Sequence, residues 1–161
     1  MEPSAFDELE FFRAIEASGA RALVIGRRAL VLLGLPVLTA DYDFWIAIDD
    51  IVRFNAACEP FGLAPTRTPE DARRSGRYAL ENDEHVDVLV ARAVSVVGGG
   101  RIVEFQAVWE RRRRIDLQDG IAVSVPTIDD LILTKQFASR PKDLQDIRLL
   151  ETLRSERTDD V

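Results

Sequence analysis

Two aspartates, Asp41 and Asp43, are separated by a single residue and have the side-chain type that binds hard metal ions. Residues 41–48 show the two-residue period of a β-strand, so both carboxylates project from one face of that strand. Carboxylates placed this close repel each other, and Mg²⁺ or Mn²⁺ relieves the repulsion while also binding nucleotide phosphates. The pair therefore predicts a metal–nucleotide site, although an isolated Asp-x-Asp motif is more often two solvated acids at the end of a strand.

A third aspartate, Asp87, lies in the apolar run of residues 85–91, which is typical of a strand. Residues 77–80 form another β-type run, and the polar residues 81–84 between the two runs predict an antiparallel hairpin. A carboxylate within an apolar strand needs a partner, which makes Asp87 the candidate third member of the site. His85 shares a strand face with Asp87, but a polar residue at the strand entrance is the simpler interpretation of this histidine.

A glycine turn precedes the aspartate pair. Residues 21–25 predict a short strand that ends at Gly26, and residues 27–33 predict a helix that ends at Gly34. Glycine lets main-chain N–H groups at the start of a helix come close to phosphate oxygens. Gly26 is therefore a candidate nucleotide-binding residue.

The other predicted elements surround these segments. A capping box that joins Ser4 and Asp7 predicts a first helix that ends at Gly19. Further along the chain the pattern predicts a helix at 49–59, a loop at 63–75, a short helix or strand within 101–114, a strand pair at 114–117 and 121–125, and helices at 127–139 and 141–154. The sequence thus predicts an α+β fold, in which helices flank a mixed β-sheet and the C-terminal end is helical.

Length and composition limit the classes of protein. A chain of 161 residues with 47% hydrophobic residues fits one globular domain, residues 1–161. No apolar run approaches the roughly 18 residues of a membrane span, and the start of the chain lacks a secretory signal pattern, so we expect a cytoplasmic protein without a membrane partner. Cys58 is the only cysteine, which excludes an internal disulfide and predicts a core-packing role.

The charge of the chain argues against a broad nucleic-acid interface. Its net charge is −7 at pH 7, whereas non-specific binding of nucleic acid needs a basic protein surface. The run 111–114 of four arginines could form a local basic patch, but a solvated face is the more frequent outcome for such a run. The three glycines at 98–100 lack the Gly-Lys-Ser/Thr of a phosphate loop and predict a flexible connection.

The order of these motifs resembles the DNA polymerase β-like nucleotidyltransferase superfamily. The matching features are the Gly26 turn with its helix, the Asp41-x-Asp43 strand and the later Asp87. The resemblance implies a nucleotidyltransferase fold in which Asp41 and Asp43 hold Mg²⁺ or Mn²⁺ with a nucleoside triphosphate. It also implies that Asp87 completes the metal site and helps to activate an acceptor hydroxyl, while pyrophosphate leaves the α-phosphorus.

The second half of the chain, from residue 125 to residue 146, resembles the end of bacterial nucleotidyltransferases related to abortive-infection toxins. This resemblance implies a phosphate contact for Lys135, for which a surface lysine is the alternative, and a toxin–antitoxin role with an antitoxin partner. Lys142 and Asp146 have the spacing of an ordinary helix pair, and Asp143 fits the first turn of a helix.

The sequence departs from the superfamily pattern at the turn, where Arg27 follows Gly26 in place of glycine or serine. A long cationic side chain could add a contact to the phosphate-binding turn or could obstruct that turn. We expect Arg27 to be an accessory phosphate contact. Two functions stay open at this point. One is transfer of a nucleoside monophosphate to a hydroxyl of RNA, a protein or a small molecule; the other is a catalytically degenerate binding or interaction module. The acidic charge favours a small or protein acceptor, whereas the toxin-like ending favours RNA.

Overall fold

The computed structural model of the protein describes residues 6–95, 101–136 and 141–159. The helices are α1 (Glu8–Ser18), α2 (Gly26–Leu32), α3 (Ile51–Cys58), α4 (Pro69–Ser75), α5 (Phe105–Arg111), α6 (Ile128–Gln136) and α7 (Pro141–Asp159). The strands are β1 (Ala22–Ile25), β2 (Tyr42–Ile46), β3 (Ala64–Pro65), β4 (Arg77–Glu81), β5 (His85–Leu89), β6 (Ala93–Ser95), β7 (Ile102–Glu104), β8 (Arg113–Asp116) and β9 (Ala122–Val125). Short 3-10 turns lie at Ile48–Asp50, Glu59–Phe61 and Gln118–Gly120.

A five-stranded sheet with the order β1-β2-β5-β4-β3 forms the centre of the fold. Strands β2 and β5 are parallel, and the other neighbouring pairs are antiparallel. Two further hairpins, β6–β7 and β8–β9, lie outside this sheet. The predicted mixed sheet, the β4–β5 hairpin and the β8–β9 pair are therefore confirmed.

Both faces of β2, the strand that contains Asp43, pack against apolar side chains. Tyr42 and Phe44 pack with Phe11 and Phe12 of α1 in the larger core, and Phe44 also contacts Phe54 of α3. On the opposite face Trp45 lies in a second cluster with residues of β7 and α5, and its indole N–H donates to the main-chain oxygen of Ala91 at 2.8 Å. The predicted alternation is correct, and apolar burial on both faces fixes the register of β2.

The ends of α1 and α6 follow from side-chain caps. The carboxylate of Asp7 accepts from the N–H of Glu10 at 3.2 Å, and α1 ends at Gly19, which has a φ of 76°. Thr127 accepts from the N–H of Asp130 at 3.1 Å and so caps α6, the helix predicted at 127–139. Ser4, the glycines at 98–100 and residues 137–139 lie outside the described residues. No helix within the described ranges is long and apolar enough to cross a membrane.

The segment 63–75 is not a loop, as the sequence pattern suggested, because it contains β3 and α4. Thr68 caps α4 by accepting from the N–H of Asp71 at 3.2 Å, Pro69 occupies its first turn, and Gly76 ends it. These residues form a complete start and stop signal for a helix. The unassigned segment 101–114 contains β7 and α5, followed by the start of β8.

The arginine run is largely used within the protein. Arg111 forms two hydrogen bonds of 3.0 Å with the buried carboxylate of Asp130. The guanidinium of Arg112 lies 3.8 Å from the ring centroid of Trp109, and Arg114 pairs with Glu16 at 2.6 Å. The predicted solvated face is confirmed for Arg111, Arg113 and Arg114, which are exposed, although Arg111 and Arg114 also pair with carboxylates. These contacts attach α5 and β8 to α6 and α1.

Cys58 lies in the core at the end of α3. Its thiol is fully buried, and burial raises its pKa to about 12. A thiol with such a pKa stays protonated near neutral pH and is a poor nucleophile. The predicted core-packing role is confirmed.

Candidate functional site

Asp43 and Asp87 are direct partners on the parallel strands β2 and β5. Partners in adjacent strands project from the same sheet face, and such strands lie about 4.8 Å apart. Asp43 is half-buried, whereas the side chain of Asp87 is 53% exposed. The structure thus brings these two predicted site residues together on one face of the sheet, while Asp87 is more exposed than its apolar strand suggested.

Gly26 lies directly against the side chain of Asp43. Its φ is +64°, and a Cβ added to it would lie 2.5 Å from Oδ2 and 2.9 Å from Cγ of Asp43. No real Cβ tolerates such a distance, so any larger residue at this position would displace the carboxylate. Glycine is therefore needed at this turn for two reasons: its φ is positive, and the Asp43 side chain lies too close for a Cβ.

Asp41 is exposed and lies one residue before β2. Its N–H donates to Oγ1 of Thr39 at 3.1 Å, and its main-chain oxygen accepts from Nε of Arg28 at 3.3 Å. Its negative charge contributes to the raised pKa of His85. Asp41 lies two residues before Asp43, just outside β2.

His85 bridges two carboxylates. Its Nε2 lies 2.9 Å from Oδ1 of Asp87, and its Nδ1 lies 3.1 Å from Oε1 of Glu81 on β4. Burial lowers the pKa of His85, but the hydrogen bond with Asp87 and the negative charges of Asp87, Glu81 and Asp41 raise it above the usual histidine value. The interpretation of His85 as a mere strand-entrance residue is incomplete, because this histidine directly contacts a predicted site carboxylate.

Lys135 and Arg27 meet on one carboxylate of α7. Lys135 Nζ donates to Oδ2 of Asp146 at 2.8 Å and lies 3.7 Å from Oδ1 of Asp143. Arg27 Nε donates to the same Oδ2 at 3.2 Å, and its Nη1 donates to the main-chain oxygen of Leu38 at 3.3 Å. Lys135 is only 7% exposed, so the surface-lysine alternative is wrong.

The sequence interpretation of Asp143 and Asp146 as ordinary helix residues misses their burial. Asp146 is fully buried, and Asp143 is nearly so. Oδ1 of Asp146 has no hydrogen-bond partner within the part of the chain that the structure describes. The signal that could have identified them is their spacing, because residues three apart share one helix face and can pair with a single lysine.

The Asp43–Asp87 pair suits a divalent ion in chemical type. Carboxylate oxygens are the ligands that Mg²⁺ and Mn²⁺ prefer, and the missing Cβ of Gly26 leaves room for the Asp43 carboxylate. Among residues 6–95, 101–136 and 141–159, however, no three His, Cys, Asp or Glu side chains form a group that could hold a metal ion. The structure supplies Asp43 and Asp87 as a pair, with Asp41 beside them.

No family model matches the sequence, and no curated protein matches it either. Solved structures do match the fold. The antibiotic-resistance factor ANT(2'')-Ia has a TM-score of 0.62 and 14% identity over 94% of this chain and 89% of that protein. The lincosamide antibiotic adenylyltransferase LnuA, with lincomycin bound, has a TM-score of 0.61 and 15% identity over 92% of this chain and 98% of that one.

A Thermotoga maritima protein assigned as a nucleotidyltransferase also matches, with a TM-score of 0.56 and 15% identity over 93% of this chain and 89% of that protein. At these identities the likeness concerns the arrangement of strands and helices. That arrangement agrees with the mixed sheet and the helical C-terminal end described above. The chain therefore has the nucleotidyltransferase fold.

Proposed function

We propose that the protein is a metal-dependent nucleotidyltransferase that moves a nucleoside monophosphate from a triphosphate to a hydroxyl of a small molecule. The observation that carries this proposal is the pairing of Asp43 with Asp87 on parallel strands, with Gly26 packed against Asp43. A solvated pair of strand-end acids would not require a glycine at that position. A site that holds the Asp43 carboxylate against the turn does require a glycine at position 26.

The three aspartates divide between two proposed roles, metal binding and activation of the acceptor hydroxyl. Asp41 and Asp43 would hold Mg²⁺ or Mn²⁺, and Asp87 would complete the metal site. The metal, when bound, neutralises charge on the triphosphate and on the departing pyrophosphate. Asp87 also takes the proton of the acceptor hydroxyl as its oxygen bonds to the α-phosphorus and the bond to pyrophosphate breaks. His85 orients Asp87 through their 2.9 Å contact.

Gly26, Arg27 and Lys135 are the proposed nucleotide contacts. Arg27 and Lys135 bring two positive charges to Asp146, and Asp143 lies close to Lys135. Two cations and two carboxylates balance each other, so a phosphate oxygen must share these cations with Asp146. Their contribution to binding is accordingly smaller than that of two cations without carboxylate partners.

A small-molecule acceptor is supported by two observations. ANT(2'')-Ia is an antibiotic-resistance factor, and LnuA is an adenylyltransferase that acts on lincosamide antibiotics. The net charge of −7 and the pairing of Arg111 and Arg114 with carboxylates weigh against a broad basic interface for RNA. An RNA acceptor with an antitoxin partner, which residues 125–146 imply by resemblance, is the alternative acceptor.

The test is transfer of label from each α-labelled triphosphate, with Mg²⁺ or Mn²⁺, to fractionated cell extract. Small metabolites, RNA and protein are separated afterwards. We expect label in the small-molecule fraction, and we expect Asp43→Asn and Asp87→Asn to abolish it. Asp83→Asn is the matched control, because Asp83 is an exposed aspartate in the β4–β5 turn.

Each other outcome has a definite meaning. Label in RNA would reject the small-molecule acceptor and favour the toxin-like function. Triphosphate binding without transfer to any fraction would favour the degenerate binding module. Transfer that persists in both aspartate variants would reject the proposed site itself.

A further inference from the structure

The guanidinium of Arg28 holds the segment that carries Asp41. Its Nε donates to the main-chain oxygen of Asp41 at 3.3 Å, and its Nη2 donates to that of Thr39 at 3.2 Å. Its carbon Cζ lies 4.1 Å from the ring centroid of Tyr42. The side chain of Arg28 is only 12% exposed, so most of it packs against the protein.

Asp41 needs such support because it lies outside the sheet. The strand pairing of β2 begins at Tyr42, which is the partner of Val86 on β5. The ladder of β1 with β2 reaches only to Asp43. The main chain of Asp41 is instead fixed by the hydroxyl of Thr39 and by the guanidinium of Arg28.

We propose that Arg28 is a positioning residue for metal binding, because it fixes the main chain at Asp41 through the carbonyl oxygen of that residue and not through its carboxylate. This inference rests on the proposed function, in which Asp41 is a metal ligand. The contacts of Arg28 use main-chain oxygens, so the charge of Asp41 is not consumed by them. A planar guanidinium suits this task, since it donates to two separate carbonyls in a fixed geometry.

A purely structural role for Arg28 would act through Glu8 of α1. That ion pair spans 3.7 Å, and Glu8 is well exposed, so its contribution is small. Glu8→Gln removes this ion pair and keeps both carbonyl contacts. It is therefore the matched control that separates attachment of α1 from positioning of Asp41.

The experiment measures binding of Mn²⁺ alone by electron paramagnetic resonance, which does not require knowledge of the base or the acceptor. We expect Arg28→Ala to weaken Mn²⁺ binding about tenfold, at the low end of the effects known for residues that orient metal ligands. Arg28→Lys should give an intermediate affinity, because an ammonium serves fewer acceptors in a fixed geometry. Glu8→Gln should stay within about twofold of the wild type.

Thr39→Val provides an independent perturbation of the same segment. It removes the hydroxyl that accepts from the N–H of Asp41 and leaves Tyr42 and the core untouched. We expect it to weaken Mn²⁺ binding in the same direction as Arg28→Ala, with unchanged circular dichroism. It also provides the test if Arg28→Ala fails to fold.

The outcomes separate this inference from the proposed function. Unchanged Mn²⁺ affinity in folded Arg28→Ala, or in Thr39→Val if the former does not fold, overturns the positioning role while Asp43→Asn still loses the metal. Wild-type binding that is absent, or that survives Asp43→Asn, overturns the proposed metal site and the positioning role with it.

Discussion

Replacement of Gly26 by alanine tests whether the fold is built around the Asp43 carboxylate. Gly26 has a φ of +64°, and a left-handed conformation costs an L-residue roughly 1–2 kcal/mol. The new Cβ would also lie 2.5 Å from Oδ2 of Asp43, so the carboxylate must move. Overpacking by the added methyl group costs roughly a further 1–3 kcal/mol. We therefore expect Gly26→Ala to lower the free energy of unfolding by about 2–5 kcal/mol.

The control for this prediction is Gly34→Ala. Gly34 has a φ of +86°, but a Cβ added to it meets nothing within 4 Å. Gly34→Ala therefore carries the backbone cost alone, about 1–2 kcal/mol. The difference between the two variants in urea denaturation isolates the contact with Asp43, and introducing Asp43→Ala together with Gly26→Ala should remove most of that difference.

The same substitution should also weaken metal binding, because Asp43 can no longer keep its position. Mn²⁺ titration of folded Gly26→Ala measures this loss at a temperature well below its unfolding transition. Equal destabilisation by Gly26→Ala and Gly34→Ala would refute the reasoning. It would mean that a Cβ at residue 26 does not displace the Asp43 carboxylate.

Three other predictions concern the metal nucleotide and the buried charges. Mg²⁺ with a triphosphate should raise the melting temperature more than either ligand alone, and Asp41→Asn and Asp43→Asn should erase this synergy; a full shift in both variants would contradict their role. Arg27→Ala should weaken triphosphate binding modestly in calorimetry and Arg27→Glu much more, whereas tighter binding by Arg27→Ala would identify an obstruction. Asp146→Ala should destabilise the fold in urea by roughly 3–5 kcal/mol, because it leaves Lys135 buried without its main partner; a loss below about 1 kcal/mol would contradict this.

The sequence predicts well those features that depend on local periodicity. The alternation after Asp41 gives the face on which Asp43 lies, and the polar turn at 81–84 gives the β4–β5 hairpin. The parallel pairing of β2 with β5 is not a local property. The resemblance implied only that Asp87 completes the site, and the parallel register that makes Asp43 and Asp87 partners is visible only in the structure.

Other contacts could not be predicted, because they depend on tertiary packing. The spacing of Asp146 suggests a surface pair within α7, but packing of α6 against α7 buries it with Lys135. His85 reaches Glu81 because these residues are cross-strand partners in the hairpin. The helix α4 is a different case, since its start and stop residues are local features of the sequence.

The contacts that Arg27 makes within the protein determine how strongly this residue could attract a phosphate. A guanidinium with solvent as its only partner would attract phosphate with little competition. Here Nε is bonded to Asp146 and Nη1 to the main-chain oxygen of Leu38, so a phosphate must compete with both acceptors. Because Asp146 is buried and also holds Lys135, releasing Arg27 completely would leave that carboxylate undercompensated. In the proposed site, we therefore expect Arg27 to share its guanidinium between Asp146 and a phosphate oxygen. A shared contact accounts for a modest effect of its removal and a larger effect of reversing its charge.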